Sequence, residues 1–511
     1  MGKKSRFRKL SKETRAPSEG SLSFFERIDT RFLAVALVLL VVGIYANAVG
    51  GTFVWDDQTL VVRNDATRSF SNIPYIFENE FTNMANYKGR IYRPLQESSY
   101  MVDRFLYGLD ASGFHITSII LQIGCTLALF YVVFSILGSR FIAFFSAMIF
   151  GLHPINTEAV TYISGRSDPL YLLFLLLAFL MYIRSSIKRG LASVIYISAS
   201  LFFYACSLLS RETAVIFPLL LASYEVYGIG DKARKNILRI VPFVALIVIY
   251  AIFRAGIVKS GSLQSGGLDA LTAVFINSKI LVRSLAILLV PIGLHMWDTF
   301  GISYSINGGE FFLNMALMVF LGFLAAVMIK KDHRIIFWIF WFFILLLPHL
   351  NIVKLNAPFA EHWLYGASIG IYVTIGIILY GMIARRVIPA TAVYTVLAVI
   401  ALYLSVFTIT RNSEWKDEPS IYNNTLKYIK SPKVFTNLGV CYEIKGEYDK
   451  SVEAHKKAIA MSPNVALYQN NIAIAYAKKG DEKMALEHWK RSLALEPDQP
   501  EVVKFVKRIE P

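Results

Sequence analysis

Charge is what this chain has least of. Only 17% of its 511 residues are Asp, Glu, Lys or Arg, against 55% hydrophobic and 14% aromatic; a soluble protein carries about a quarter charged residues. Cysteine is scarce too: Cys125, Cys206 and Cys441 leave neither a disulfide framework nor a metal-ligand spacing. The first apolar block starts only after about 30 residues and lacks a cleavage site, so it reads as a first anchor rather than a signal peptide. Acidic residues are outnumbered, 36 to 52, for a formal charge of +16. That excess is not laid out for nucleic acid. Lys3, Lys4, Arg6, Arg8, Lys9, Lys12 and Arg15 precede the first apolar block, and other basic residues sit in short turns between blocks. This distribution orients membrane helices, with Lys and Arg kept on the cytoplasmic side. The bilayer, not nucleic acid, is the expected partner.

What the chain has instead is apolar runs of about 20 residues, the length that crosses a bilayer core as helix. They cover roughly 31–49, 114–137, 140–153, 169–184, 191–208, 212–228, 237–256, 310–329, 335–350, 363–383 and 387–410. A further block, 276–294, carries Lys279 and Arg283, and charges at mid-bilayer are costly. Eleven crossings with a cytoplasmic N-terminus place Arg184/Lys188/Arg189, Lys232/Arg234/Lys235, Lys330/Lys331/Arg334 and Arg385/Arg386 inside together. A twelfth crossing at 276–294 breaks that pattern, so this block is expected to be re-entrant or interfacial on the outer side. The expected fold is all-α: a basic N-terminus (1–30), a polytopic membrane bundle (31–410) with a first outer loop at 50–113, and a soluble non-cytoplasmic tail (411–511).

The tail repeats itself. Residues 432–464 laid over 466–498 pair Leu438 with Ile472, Gly439 with Ala473, Tyr442 with Tyr476, Gly446 with Gly480, Ala458 with Ser492 and Pro463 with Pro497. A period of about 34, small residues at helix contacts and Pro after the second helix describe tetratricopeptide repeats, here at about 432–465 and 466–499. Two repeats bury little core alone. Residues 414–431 read as a degenerate half-repeat, and Glu501–Arg508 as the start of a capping helix.

Polar residues are informative where they interrupt apolar runs. F-V-W-D-D carries Asp56 and Asp57 just beyond the first span; adjacent carboxylates can hold a cation, act as a base or cap a helix. Y-R-P-L carries Arg93, a fork of donors suited to phosphate or a partner for Asp56, Asp57 or Glu97. The stretch from His153 to Asp168 adds Glu158 and Arg166, which suit a loop-bracing network as well as a site. It forms no recognised metal motif, and a metal requirement stays open. L-L-S-R-E-T carries Arg211 and Glu212, either self-neutralising or leaving Arg211 to face a lipid phosphate. Glu361 and His362 open a late span. All fall on the outer side. A bundle gathering them suits chemistry on a phosphate-bearing lipid, with arginine at the leaving phosphate and a carboxylate taking a proton from the attacking hydroxyl.

In order, F-V-W-D-D, Y-R-P-L, F-H, H-P-I-N-T-E-A-V with G-R-S-D, S-R-E and E-H-W-L-Y-G-A-S-I-G resemble the transmembrane O-mannosyltransferases that carry tetratricopeptide repeats. That family is similar in fold to the GT-C membrane glycosyltransferases. The resemblance implies a polyprenyl- or dolichyl-phosphate sugar donor and a Ser or Thr acceptor on the non-cytoplasmic face, with the repeats presenting the acceptor protein. It makes Asp56 the catalytic acid, with Asp57 beside it. Arg93, Arg166, Arg211 and His362 become donor-phosphate candidates, and His153, Glu158, Asp168, Glu212 and Glu361 a supporting network. Asn156 replaces a family His, Arg211 a Lys and His362 an Arg; these departures bear on the sugar and the phosphate ligands more than on the reaction class. The short repeat array points to a cell membrane, or to the endoplasmic reticulum in a eukaryote. An oligosaccharide ligase or polymerase would place its key residues in a large late loop, whereas the longest outer loop here is the first. A non-catalytic repeat scaffold has no need of carboxylates and arginines on one membrane face.

Overall fold

The apolar runs form helices whose ends the sequence marks. In a computed structural model that describes residues 23–81, 91–227, 237–258, 270–296, 308–350 and 359–509, the first helix, α1 (Thr30–Tyr45), is capped by Asp29, which accepts from the Arg31 amide at 2.8 Å. Then come α2 (Pro94–Tyr107), α3 (Ala111–Leu137) and α4 (Arg140–Leu152). Pro94 opens α2, Asp110 caps α3 and Ser139 caps α4. The bundle continues with α5 (Ser167–Ile187), α6 (Leu191–Ser210), α7 (Phe217–Tyr227), α8 (Val241–Ile257), α9 (Ala270–Leu289), α10 (Gly308–Lys331), α11 (Ile335–Leu346), α12 (Leu364–Ala384) and α13 (Ala390–Glu414). The described residues contain no strand.

Among the described residues, nine helices are long and apolar enough to cross a bilayer, and Arg140–Leu152 and Ile335–His349 are shorter apolar ones. The chain is a multi-pass membrane protein. Leu39, Val248, Phe253, Val319, Phe323 and Leu402 face outward, exposed, as side chains in contact with lipid must be. Two segments differ from the sequence reading. The 212–228 block is a short turn of 3-10 helix, Glu212–Ile216, followed by α7, rather than one long helix. The block at 276–294 enters a continuous helix, α9, as long as the spans around it. Its charge does not break the helix, because Lys279 pairs with Glu310 at 2.8 Å and lies over the Phe275 ring. The basic N-terminal residues and Lys232, Arg234 and Lys235 lie outside the described residues.

The chain divides into two compact units: one holds the bundle through Asn412, the other Ser413–Pro511 together with Gly293–Gly301. Within the second unit, α14 (Glu418–Tyr428) precedes two helix pairs, α15 (Pro432–Ile444) with α16 (Tyr448–Met461) and α17 (Ala466–Lys479) with α18 (Glu482–Leu495). Gly446 and Gly480, one per repeat, both take positive φ, +76° and +91°, in the tight turns, a conformation that suits glycine. The core joins Ile472, Ala473, Tyr476, Ala485 and Trp489. A final helix, α19 (Pro500–Ile509), closes its end by stacking Phe505 on Trp489 at 5.2 Å and burying Val502. Capping of this kind is what a two-repeat array needs. Segment 293–296 belongs here: His295 stacks on Tyr428, and the Leu294 carbonyl accepts from Asn424.

Candidate active site

The chain turns sharply just before the two adjacent carboxylates. Trp55 sits at φ +49°, a strained conformation for a bulky residue. What holds it is Asp57. That side chain is fully buried and accepts from the Val54 amide at 3.0 Å, the Ser164 amide at 2.8 Å and the Ser164 hydroxyl. Asp57 is therefore a staple between the first outer loop and the turn before α5. Burial pushes its carboxyl up to about 7, against the pull of those donors. Asp56 is only half-buried. Burial raises its carboxyl above the ordinary range, and the Tyr162 hydroxyl beside it pulls the other way. Trp55 stacks on that same Tyr162, ring centroids 5.9 Å apart. Of the two acids, Asp57 is committed to holding the loop, and Asp56 keeps part of its surface open.

The receiving turn is compact for a reason. A Cβ on Gly165 would lie 2.5 Å from the Glu158 carbonyl oxygen, so only glycine lets the chain fold back there. Ser164 at this turn takes Asp57, and Ser167 three residues on takes both arginines: Arg93 donates to its hydroxyl at 3.4 Å and Arg211 at 3.1 Å.

The arginines pair differently from their sequence neighbourhoods. Arg93 reaches neither Asp56, Asp57 nor Glu97. Its fork closes on Glu212 at 2.9 and 2.7 Å, while Glu97 accepts from Asn64. Arg211 does not neutralise Glu212; it pairs with Asp168. Arg166, expected to be a phosphate candidate, has no exposed surface. It is sealed between Asp103, the Phe114 carbonyl and the rings of Tyr100 and Phe114, so it braces the loop and cannot touch a ligand. Arg211, by contrast, uses only Nη1 on the protein, and its other donors meet no described residue.

On the remaining side, Glu158 accepts from both the Nδ1 and the backbone amide of His362, at 2.8 and 3.1 Å. Burial alone would raise the Glu158 carboxyl, but His362 and Arg411 nearby hold it below its ordinary value. Glu361 turns away to Arg411 at 3.0 Å. His153 is structural: Nδ1 accepts from the Ile155 amide, which leaves Nε2 to donate to the Leu288 carbonyl at 3.2 Å. Among the described residues no cluster of three or more His, Cys, Asp or Glu could hold a metal ion.

The site thus gathers Arg93, Glu158, Asp168, Arg211, Glu212 and His362 and sets Arg166, His153 and Glu361 behind it as braces, while Asp56 joins it through its neighbour Asp57, which is locked to Ser164 of the turn that carries Ser167. Sequence reasoning missed Asp103, Ser164, Ser167, Arg411 and His349. The last lies within electrostatic reach of Arg211, His362, Glu212 and Arg93; its signal was an ionisable residue closing a wholly apolar run.

The tetratricopeptide-repeat family profile matches residues 432–465. Protein O-mannosyl-transferase TMTC1 of Homo sapiens is 35% identical over 206 residues, covering 38% of this chain and 23% of its own. Human protein O-mannosyl-transferase TMTC4 is 30% identical over 219 residues, 39% of this chain and 29% of its own. Protein O-mannosyl-transferase TMTC3 of Mus musculus is 23% identical over 482 residues, 85% of this chain and 52% of its own. The chain therefore spans from about a quarter to about half of the length of these curated relatives. Among solved structures, a chain of the APC/C hetero-tetramer Cut9–Hcn1 aligns with a TM-score of 0.19 and 14% identity over 79% of this chain and 76% of that one, a likeness that carries no argument.

Proposed function

We propose that this chain is a GT-C-type membrane glycosyltransferase, moving a sugar from a polyprenyl-phosphate carrier to a Ser or Thr hydroxyl of a protein on the non-cytoplasmic face. The names of the relatives make mannose the first sugar to try. The observation that carries the reading is the split acid pair: Asp56 is left half-open, while Asp57 is locked by three donors, two of them from Ser164 of the turn whose Ser167 anchors Arg93 and Arg211. The acceptor oxygen attacks the anomeric carbon as the bond to the phosphate oxygen breaks. Asp56 takes the hydroxyl proton, and polyprenyl phosphate leaves with its growing charge facing Arg211 and His362.

The basic helix ends support a non-cytoplasmic site. Helices α5 and α12 start at the site and run to Arg184/Lys188/Arg189 and Arg385/Arg386, and α11 comes to it from Lys330/Lys331/Arg334. Basic ends stay cytoplasmic, which supports an outward-facing site. Glu310 opens α10, which turns back tightly into α11 and so begins at the site end. Lys279 midway along α9 meets Glu310, and the Leu288 carbonyl near its end meets His153. Both contacts at one end support α9 lying along the outer face without crossing, and a single crossing by α13 from the basic Arg385/Arg386 end of α12 supports non-cytoplasmic repeats. Purified chain in nanodiscs, given polyprenyl-phosphate-mannose and a Ser/Thr-rich peptide, is expected to add one hexose to the peptide. Donor that stays intact, with no peptide modified, would remove this reading.

A further inference from the structure

His349 has no role in anything described so far. It ends the apolar run of α11 in a short turn, Leu347–His349, and is buried, 8% exposed. Its ring lies flat on the Trp363 indole, centroids 5.0 Å apart and planes 12° from parallel. That stack fixes its orientation. Neither ring nitrogen bonds to any described residue, and neither is sealed away. His115 and His455 are also buried with unmet nitrogens, but theirs are sealed in the interior, whereas the nitrogens of His349 stay accessible. Here the polar edge is left for something else.

Two other groups nearby are open in the same way. Arg211 commits one nitrogen to Ser167 and Asp168 and keeps the rest of its fork unmet by described residues. His362 is held through Nδ1 by Glu158, which leaves Nε2 without a described partner. Arg93 is different, with all three nitrogens engaged by Glu212 and Ser167. The ionisable groups within electrostatic reach of His349 are Arg211 and Glu212 just after α6, Arg93 just before α2 and His362 just before α12. Three sets of unfilled nitrogen donors, on three different elements, suit an anion with several oxygens.

We propose that His349, held flat by Trp363, is a phosphate-binding residue of the donor subsite, sharing the oxygens of the leaving polyprenyl phosphate with Arg211 and His362. The assignment rests on the lipid-phosphate reading above and adds a ligand to it. A phosphodiester carrier enters with one negative charge and departs as a monoester with a second, so a fixed donor here binds the product form more tightly than the sugar-bearing form.

The test uses the full chain in nanodiscs and two probes, undecaprenyl phosphate and undecaprenol, which differ only in the phosphate. Wild type is expected to prefer the phosphate. His349→Phe keeps the stack on Trp363 and removes both nitrogens, and is expected to lose about tenfold of that preference. His349→Gln, which restores an N–H donor, is expected to recover most of it. Should the Phe variant not fold, judged by its unfolding midpoint, His349→Met takes its place with the same expectation. A wild-type preference kept by His349→Phe, while Arg211→Ala loses it, overturns the role of His349 and leaves the donor reading standing. No preference in wild type overturns both.

Discussion

The bundle and the repeat unit differ in how deeply they bury their ion pairs. In the repeats, Lys457–Glu453, Arg491–Glu487 and Lys504–Glu501 join residues three or four apart on one helix face, and all six side chains are exposed. In the bundle, Arg411–Glu361, Arg211–Asp168 and Arg93–Glu212 join residues 50, 43 and 119 positions apart. Arg166 and Asp103 are 0% and 2% exposed. Exposed pairs are weak because water screens them. A buried pair must be complete, because a lone charge in a low-dielectric interior is intolerable. The repeats therefore tolerate their charges, while the bundle is organised by them.

The contrast is sharpest where a buried charge also does chemistry. Asp56→Asn keeps size and most hydrogen bonding but cannot accept the proton, so turnover is expected to fall about 10²–10⁴-fold, measured as hexose transfer by purified protein. The raised carboxyl of Asp56 also predicts that wild-type turnover falls on acidification at a pH above the usual carboxylate range. Asp57→Asn acts on stability instead. A carboxyl raised to about 7 in the folded chain binds more protons there than when unfolded, so its contribution favours folding at low pH and fades as pH rises towards 7. The Asn variant is expected to lose that slope. If Asp57→Asn abolishes transfer while Asp56→Asn does not, the roles are reversed.

Next in size is Arg166→Met, which strands Asp103 in the interior. Breaking such a pair costs about 3–5 kcal/mol, and the unfolding midpoint in detergent is expected to drop sharply while donor binding per folded molecule is kept. A midpoint like wild type would put this pair with those of the repeats. Arg211→Ala comes third. Losing a charge-assisted phosphate contact removes roughly 1.5–3 kcal/mol, on the order of tenfold to a hundredfold in donor affinity. Unchanged donor affinity in an unstable protein would mean that Arg211 serves only Asp168. At the small end, Glu453→Gln in the repeats is expected to leave both midpoint and turnover unchanged; a clear loss of either would break the contrast.

Some of this was legible before any coordinates. Apolar runs read as helices, and the pairs from Leu438/Ile472 to Pro463/Pro497 read as repeats, because both signals are local and periodic. The candidate residues were legible as polar exceptions, and most converge on one end of the bundle. Their partners were not. Arg211 and Glu212 are neighbours in the chain and look self-neutralising, yet each turns to a different helix. Arg166 looked like a ligand because its sequence neighbourhood gives no hint that Asp103 and two aromatic rings enclose it. Asp103 itself was invisible, being one acid among others in a polar loop.

The sequence alone determined the composition of the two regions, which stretches enter lipid, the period of the tail and the set of residues costly enough in a membrane to need a reason. It did so because hydrophobic length and repeat spacing are properties of the chain itself. Only the tertiary structure decided which of Asp56 and Asp57 is locked, which arginine is sealed and which keeps free donors, and that His349 lies with them. Those outcomes depend on partners brought from far along the chain. A low-dielectric interior admits a charge only with its partner in place, and the fold alone says which partner arrives.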